Sequence, residues 1–265
     1  MAAGGEAGAI LLDIVDVHKT FGGVRAVQGC TFGLGRGRIT GLIGPNGAGK
    51  TTLFNMIAGA FPPTAGGIHF DGEDVTGLPA HRLFHKGIVR TFQIPHEFGR
   101  MTCLENLMLV PPGQSGERLW STWLGWGRVR DEETAIRKKA LDVLDFLKMS
   151  HLADKLASDV SGGQKKLLEL GRTMMTDATL VLLDEPGAGV NRTLLGEIAH
   201  AIRTLNEERG YTFCIIEHDM GFIAELCDPV ICMAEGTVLR EGTMAEVRRD
   251  PRVLEAYLGA TGEAA

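Results

Sequence analysis

Apolar and polar positions divide the chain into segments of two different periods. "ILLDIVDV" (10–17) and "RITGLIG" (38–44) are β-rich runs, and the second leads through a glycine loop into the helix "KTTLFNMIA", which Gly59 ends. "FPPTAGGIHFDG" (61–72) reads as a turn and a short strand. Residues 131–149 carry the period of an amphipathic helix, with Leu141, Leu144 and Leu147 among its apolar positions. Further on come a helix at 161–176, the strand "LVLLD" (180–184), a helix at 194–208, and the strands "TFCII" (212–216) and "VICMA" (230–234). This alternation predicts an α/β fold with a mainly parallel sheet covered on both faces.

One stretch breaks the pattern. "PPGQSGERLWSTWLGWGRVR" (111–130) holds Trp120, Trp123 and Trp126 among glycines and arginines and reads as an insertion. Local packing of the rings under a loop is the simpler expectation. The alternative is a membrane-facing surface, with Arg118, Arg128 and Arg130 placed to meet anionic headgroups.

Composition narrows the picture. With 265 residues and 44% apolar content the chain can bury one large core, or a core with a smaller lobe. A net charge of −6 argues against a general nucleic-acid binder, which needs a basic surface. Cys30, Cys103, Cys214, Cys227 and Cys232 form an odd set without a CxxC pair, which supports reduced thiols rather than disulfides or a zinc ribbon. "MAAGGEAGAI" lacks the pattern of a signal peptide and reads as a frayed leader; "GATGEAA" reads as a frayed tail. No apolar run approaches the roughly 20 residues of a spanning helix, so a membrane role would run through a partner.

The chemistry is concentrated in a few motifs. Gly44, Pro45, Asn46, Gly47, Ala48, Gly49, Lys50 and Thr51 fit GxxxxGK[ST] between a strand and a helix, with Thr52 next in line. In such a loop the backbone N–H groups face phosphates, Lys50 neutralises β/γ charge and the Thr51 hydroxyl can ligate Mg²⁺. Asp184 and Glu185 end an apolar strand, where adjacent carboxylates resist desolvation unless a cation or a catalytic task holds them. Asp184 is therefore the candidate for holding Mg²⁺ through water, and Glu185 for polarising the water that attacks a γ-phosphate. His218 follows a strand at the carboxyl edge of the expected sheet, where it can hydrogen-bond a γ-phosphate. His81 and His85 are spaced i, i+4, but without a third ligand they read as a solvated helix face, as do Arg137, Lys138 and Lys139.

"VSGGQKKLLELGRTMM" (160–175) opens a second helix with small residues and bare N–H groups, so the chain has two phosphate-seeking ends about a hundred residues apart in sequence. Glycine loop, "RTFQ", "SGGQ", "LVLLDEP", "GAGVN" and "EHDM" stand in the order seen in ABC-transporter ATPase subunits, which the chain resembles over nearly its whole length. The details of "RTFQIPHEFGRMTCLENLML", "LLDEPGAGVN", "IEHDM" and "VLEAYLG" are most similar to the branched-chain amino-acid importer subunits.

The resemblance implies a P-loop NTPase cassette with an antiparallel β subdomain and a helical subdomain. Its core would be residues 1–94 and 178–250, its helical subdomain 95–177, and its C-terminal helix and tail 251–265. It implies an ATP-hydrolysing subunit with ATP and Mg²⁺, closing head to tail with a second ATPase subunit beneath transmembrane permeases at the cytoplasmic face. An external solute-binding protein would act indirectly, and nucleic acid would have no part. In that arrangement Ser161, Gly162, Gly163 and Gln164 cover the γ-phosphate held by the loop of the other subunit.

Phe21 alone reads as core, but the resemblance places it on adenine with Ala26 as a small apolar wall. It also places Gln93 in the Mg²⁺ shell. Asn191 and Arg192 stand where many cassettes have Asp and Pro, and Val160 stands where Leu is usual. A soluble ABC scaffold of the iron–sulfur type, a urea importer or a lipid exporter would share these residues.

Overall fold

The computed structural model of the protein describes residues 9–91, 97–112 and 126–262. Gln93, Trp120, Trp123, the N-terminal leader up to residue 8 and the last three residues lie outside them. The chain forms two compact units. A core unit contains the chain up to Arg90, Thr179–Ala188 and the chain from Ile202 onward; a helical unit contains Thr91–Ala178 and Gly189–Ala201.

Two sheets build the core unit. The first pairs β1 (Ile10–Phe21), β2 (Val24–Gly35), β4 (Ala65–Phe70) and β5 (Glu73–Asp74) in the antiparallel order β2-β1-β4-β5. In β1 the register shifts between Ile14 and Val17, where Asp16 turns to φ 47°. This bulge keeps Leu12, Ile14 and Val17 all buried although the spacing from 14 to 17 is odd.

The second sheet runs β10-β9-β3-β8-β7-β6. It comprises β3 (Ile39–Ile43), β6 (Ile88–Arg90), β7 (Leu180–Asp184), β8 (Thr212–Ile216), β9 (Val230–Ala234) and β10 (Thr237–Gly242). All neighbours are parallel except the edge strand β10. Every residue of β3, β7, β8 and β9 is buried, as a parallel sheet covered on both faces requires.

Helix α1 (Lys50–Ile57) follows β3 and buries Leu53, Phe54 and Ile57 in a cluster with Leu42, Leu182 and Ile231. Gly59 ends it at φ 73°, where an added Cβ would lie 2.5 Å from the Leu78 carbonyl oxygen. Helix α2 (Ala80–Lys86) exposes His81 and His85 as expected.

In the helical unit, α3 (Cys103–Met108), α4 (Trp126–Phe146) and α5 (Gly162–Met174) pack together. Gly171 permits the approach, since a Cβ there would meet Leu147 at 2.8 Å and Val143 at 3.1 Å. The buried stripe of this region is Ala140, Val143, Leu144 and Leu147. Leu141, expected on that face, is 40% exposed. Ala140, not Leu141, completes the i, i+3, i+4, i+7 set. Helix α4 also ends earlier than expected, and the chain turns at Lys148 with φ 56°. Helix α6 (Arg192–Arg209) is shared by the two units along its length. Three short helices complete the core unit: α7 (Met220–Leu226), α8 (Met244–Arg249) and α9 (Pro251–Gly262). No helix among the described residues is long and apolar enough to cross a membrane.

Candidate active site

The loop between β3 and α1 is built on positive backbone angles. Gly44, Gly47 and Gly49 take φ 147°, 80° and 93°. A Cβ on Gly44 would lie 2.0 Å from the Met233 carbonyl oxygen, and one on Gly49 would lie 2.4 Å from that of Ala26, so side chains are excluded by neighbours as well as by φ. Ala48 is buried, whereas Asn46 and Thr51 are exposed and Thr52 is half-buried. No side chain among the described residues caps the start of α1, which leaves its first N–H groups for an outside acceptor.

Lys50 is only 6% exposed, and its ammonium donates to the carbonyls of Gly44 (2.7 Å) and Pro45 (2.9 Å). Burial pulls its pKa below the ordinary lysine value, against the opposing pull of Glu185, Cys232 and Asp184. A buried cation satisfied by neutral carbonyls is well prepared to receive an anion.

Asp184 ends β7 and is buried; Arg90, at the end of β6, donates from Nη2 to Asp184 Oδ2 at 2.8 Å. Nη1 of Arg90 donates to Asn55 Oδ1 of α1 at 2.5 Å. Glu185 follows at φ 51°, and its Oε1 lies 3.0 Å from Nε2 of His218. Protein side chains supply part of the compensation that the adjacent carboxylates call for. Arg90 compensates Asp184, and the imidazole of His218 meets Glu185.

Mg²⁺ fits this donor set. It takes one or two protein oxygens and completes its octahedron with water and phosphate. Arg90 engages one oxygen of Asp184, and no hydrogen bond from the described residues engages Oδ1. No group of three or more His, Cys, Asp or Glu that could hold a metal occurs among the described residues.

Phe21 is 46% exposed, which overturns its reading as core. Its ring meets Phe61 edge-on at 5.3 Å, and Lys19 lies 5.1 Å from its centroid while donating to the Pro62 carbonyl at 2.6 Å. Ala26 is half-buried.

The helical unit holds the second phosphate-seeking end. Ser161 is the N-cap of α5: its hydroxyl accepts the Gln164 N–H at 3.3 Å, and Gln164 Oε1 accepts the Ser161 N–H at 2.9 Å. A Cβ on Gly163 would lie 1.8 Å from Leu194 Cδ2, whereas one on Gly162 would meet nothing within 4 Å among the described residues. Val160 packs as a buried apolar residue. Asn191 precedes α6 and its Oδ1 accepts the Leu194 N–H at 3.0 Å, with Arg192 as the first helical residue. Asn caps as well as Asp does. The departure from the usual residue thus costs the helix nothing.

The core unit brings Lys50, Asp184, Glu185 and His218 to one edge of the parallel sheet, and the serine–glycine turn belongs to the other unit. Three residues that sequence reasoning missed hold this edge together: Arg90, Asn55 and Glu217. Glu217 stood directly before His218 and Arg90 opened the quoted "RTFQ", so both were readable signals; nothing local marked Asn55.

Residues 27–188 match the family model described as "ABC transporter", and residues 241–263 match "Branched-chain amino acid ATP-binding cassette transporter". A protein of Archaeoglobus fulgidus named "Probable branched-chain amino acid transport ATP-binding protein LivG" is 42% identical, covering 94% of this chain and 96% of its own. The "High-affinity branched-chain amino acid transport ATP-binding protein BraF" of Pseudomonas aeruginosa is 34% identical, covering 94% and 98%. Among solved structures, the ADP conformation of an ATP-binding cassette of an ABC transporter superposes with a TM-score of 0.81 at 37% identity, covering 95% of this chain and 99% of that one. Glycine loop, carboxylate pair and capped serine turn thus stand in a chain that belongs to the ABC transporter family, as one of its ATP-binding, ATP-hydrolysing subunits.

Proposed function

We propose that this subunit powers an importer of branched-chain or other hydrophobic amino acids from the cytoplasmic face of the membrane. It closes head to tail with a second ATPase subunit beneath the permeases, and a solute-binding protein outside supplies the cargo. The whole chain acts as one cassette, with residues 95–177 as its helical subdomain. The names of the relatives and the match of residues 241–263 support this substrate class.

The chemistry is assigned from the core unit. The N–H groups of Gly44, Asn46, Gly47, Ala48, Gly49, Thr51 and Thr52 cradle the phosphates, with Lys50 as counter-charge. Phe21 stacks on adenine beside Ala26. Thr51, Asp184 and Gln93 would hold Mg²⁺, which when bound offsets charge on the β- and γ-phosphates. Glu185 accepts a proton as water attacks the γ-phosphorus; the bond to the β–γ bridging oxygen breaks, and ADP and phosphate result. His218 orients Glu185 and hydrogen-bonds the γ-phosphate. Ser161, Gly162, Gly163 and Gln164 of the second subunit close the site with a hydroxyl and a helix N-terminus. Hydrolysis removes that bridge and lets the dimer open.

The observation that carries the hydrolytic reading is the 3.0 Å contact of Glu185 with His218 at the sheet edge that bears Lys50. Glu185→Gln is expected to retain ATP and accumulate closed dimer with little turnover; unchanged hydrolysis would remove Glu185 from the reaction. Copurification with polytopic permeases, and stimulation of turnover by branched-chain amino acids in the reconstituted assembly, test the transport reading. Recovery with soluble partners alone would reject it.

A further inference from the structure

Glu217 sits between the two catalytic candidates, and no cation among the described residues pairs with it. It directly follows β8, is 5% exposed, and among the described residues its carboxylate accepts backbone N–H groups alone. Oε1 takes the Gly187 N–H at 2.5 Å, and Oε2 takes those of His218 at 2.9 Å and Asp219 at 3.5 Å. Gly187 lies two residues after Glu185, while His218 is the next residue after Glu217.

The register explains the meeting. Asp184 pairs with Ile216 across the parallel strands, and the Glu185 N–H continues the ladder to the Ile216 carbonyl at 2.9 Å. Beyond that point the strands stop and the two chains would part. Glu185 turns out of the sheet at φ 51°, a conformation that persists only when its surroundings enforce it. The Glu217 carboxylate clasps both departing backbones. A closed ring results: Glu185, Pro186, Gly187, the Glu217 carboxylate, the His218 backbone, its imidazole, and back to Glu185 Oε1.

We propose that Glu217 is a positioning residue, which holds the loop after β7 and the loop after β8 in the one arrangement that lets His218 reach Glu185. A buried carboxylate is suited to this, because charge-assisted bonds to N–H groups are about twice as strong as neutral ones. Glutamine retains only one accepting oxygen and can keep one arm of the clasp, not both. This inference rests on the roles proposed above for Glu185 and His218.

Hydrolysis by the full-length chain tests it, with fluorescent-nucleotide affinity measured alongside. Glu217→Ala is expected to lower kcat about tenfold or more, as misplacement by a fraction of an ångström does, with ATP affinity unchanged within about twofold because the glycine loop is untouched. Glu217→Gln is expected to fall between wild type and Glu217→Ala, and serves if the alanine variant does not fold. The decisive measurement is a cycle with His218→Ala: on that background Glu217→Gln should have little further effect, since the two act as one unit. An equal loss with and without His218, or a loss of ATP affinity in step with kcat, would overturn the positioning role. Full activity of His218→Ala by itself would instead refute the role given to His218, a separate failure.

Discussion

Arg90 and Asp184 form a largely buried ion pair at 2.8 Å, with side chains 14% and 3% exposed, where Arg90 ends β6 opposite Leu182 and β7 runs on to Asp184. Removing one partner of such a pair strands the other. Arg90→Met should therefore destabilise the protein by about 3 kcal/mol, lowering Tm by about 6–12 °C. Adding Asp184→Asn, which removes the stranded charge, should recover part of that loss. Thermal unfolding of the single and double variants decides this, and an Arg90→Met Tm equal to wild type would contradict it.

Gly162 and Gly163 are neighbours with opposite demands. At Gly163 a methyl would overlap Leu194, so Gly163→Ala must displace that side chain and cost about 1–3 kcal/mol. At Gly162 the space is open among the described residues, so Gly162→Ala should leave Tm unchanged. Any loss of hydrolysis in Gly162→Ala would then come from what approaches the turn from outside. The two melting curves, set beside the two ATPase rates, separate these effects.

Asp250 gives a pH signature. Its fork with Arg252, together with the Arg252 N–H, holds the carboxyl down from 3.8 to about 2. A depressed folded pKa stabilises fully above the unfolded value, and the contribution disappears as pH falls from about 3.8 through about 2. Asp250→Asn keeps an acceptor for the helix N–H but has no charge to lose. Its Tm should fall less steeply than that of wild type across this acid range; parallel curves would show that the fork contributes nothing.

Thiol chemistry should report on global unfolding. All five cysteines are buried and free, and burial raises Cys30 and Cys232 to about 11 and Cys227 to about 12, with Cys103 and Cys214 raised as well. The thiolate is the reactive form. The folded protein should resist alkylation near neutral pH and take five labels on denaturation, as intact mass will show. Stoichiometric labelling without unfolding would contradict the burial.

The central strands were legible to the residue because β7, β8 and β9 are short runs of almost wholly apolar residues between polar stretches. Strand β2 was not: "VRAVQGCTFGLG" mixes glycines and polar residues, and its register with β1 shifts several times. Short helices such as α7 and α8 offer too few turns for a period to emerge. Alanine escaped notice at position 140, where it outranked Leu141 as a core residue. At the site, Lys50, Asp184, Glu185 and His218 could be read locally, since each sits in a contiguous motif. Arg90 and Glu217 stood in or beside such motifs, but the contacts that give them and Asn55 a role depend on which strand lies beside which, and that information is non-local.

The reciprocal cap at Ser161 has one more consequence. As a helix starter, aspartate would serve at this position as well as serine. It would also plant a permanent negative charge at the mouth of α5 and repel any anion drawn there. A serine hydroxyl accepts the Gln164 N–H through a lone pair and still owns a proton to offer elsewhere. Neutrality and that leftover donor distinguish a helix start that can greet an oxyanion from one that merely begins a helix.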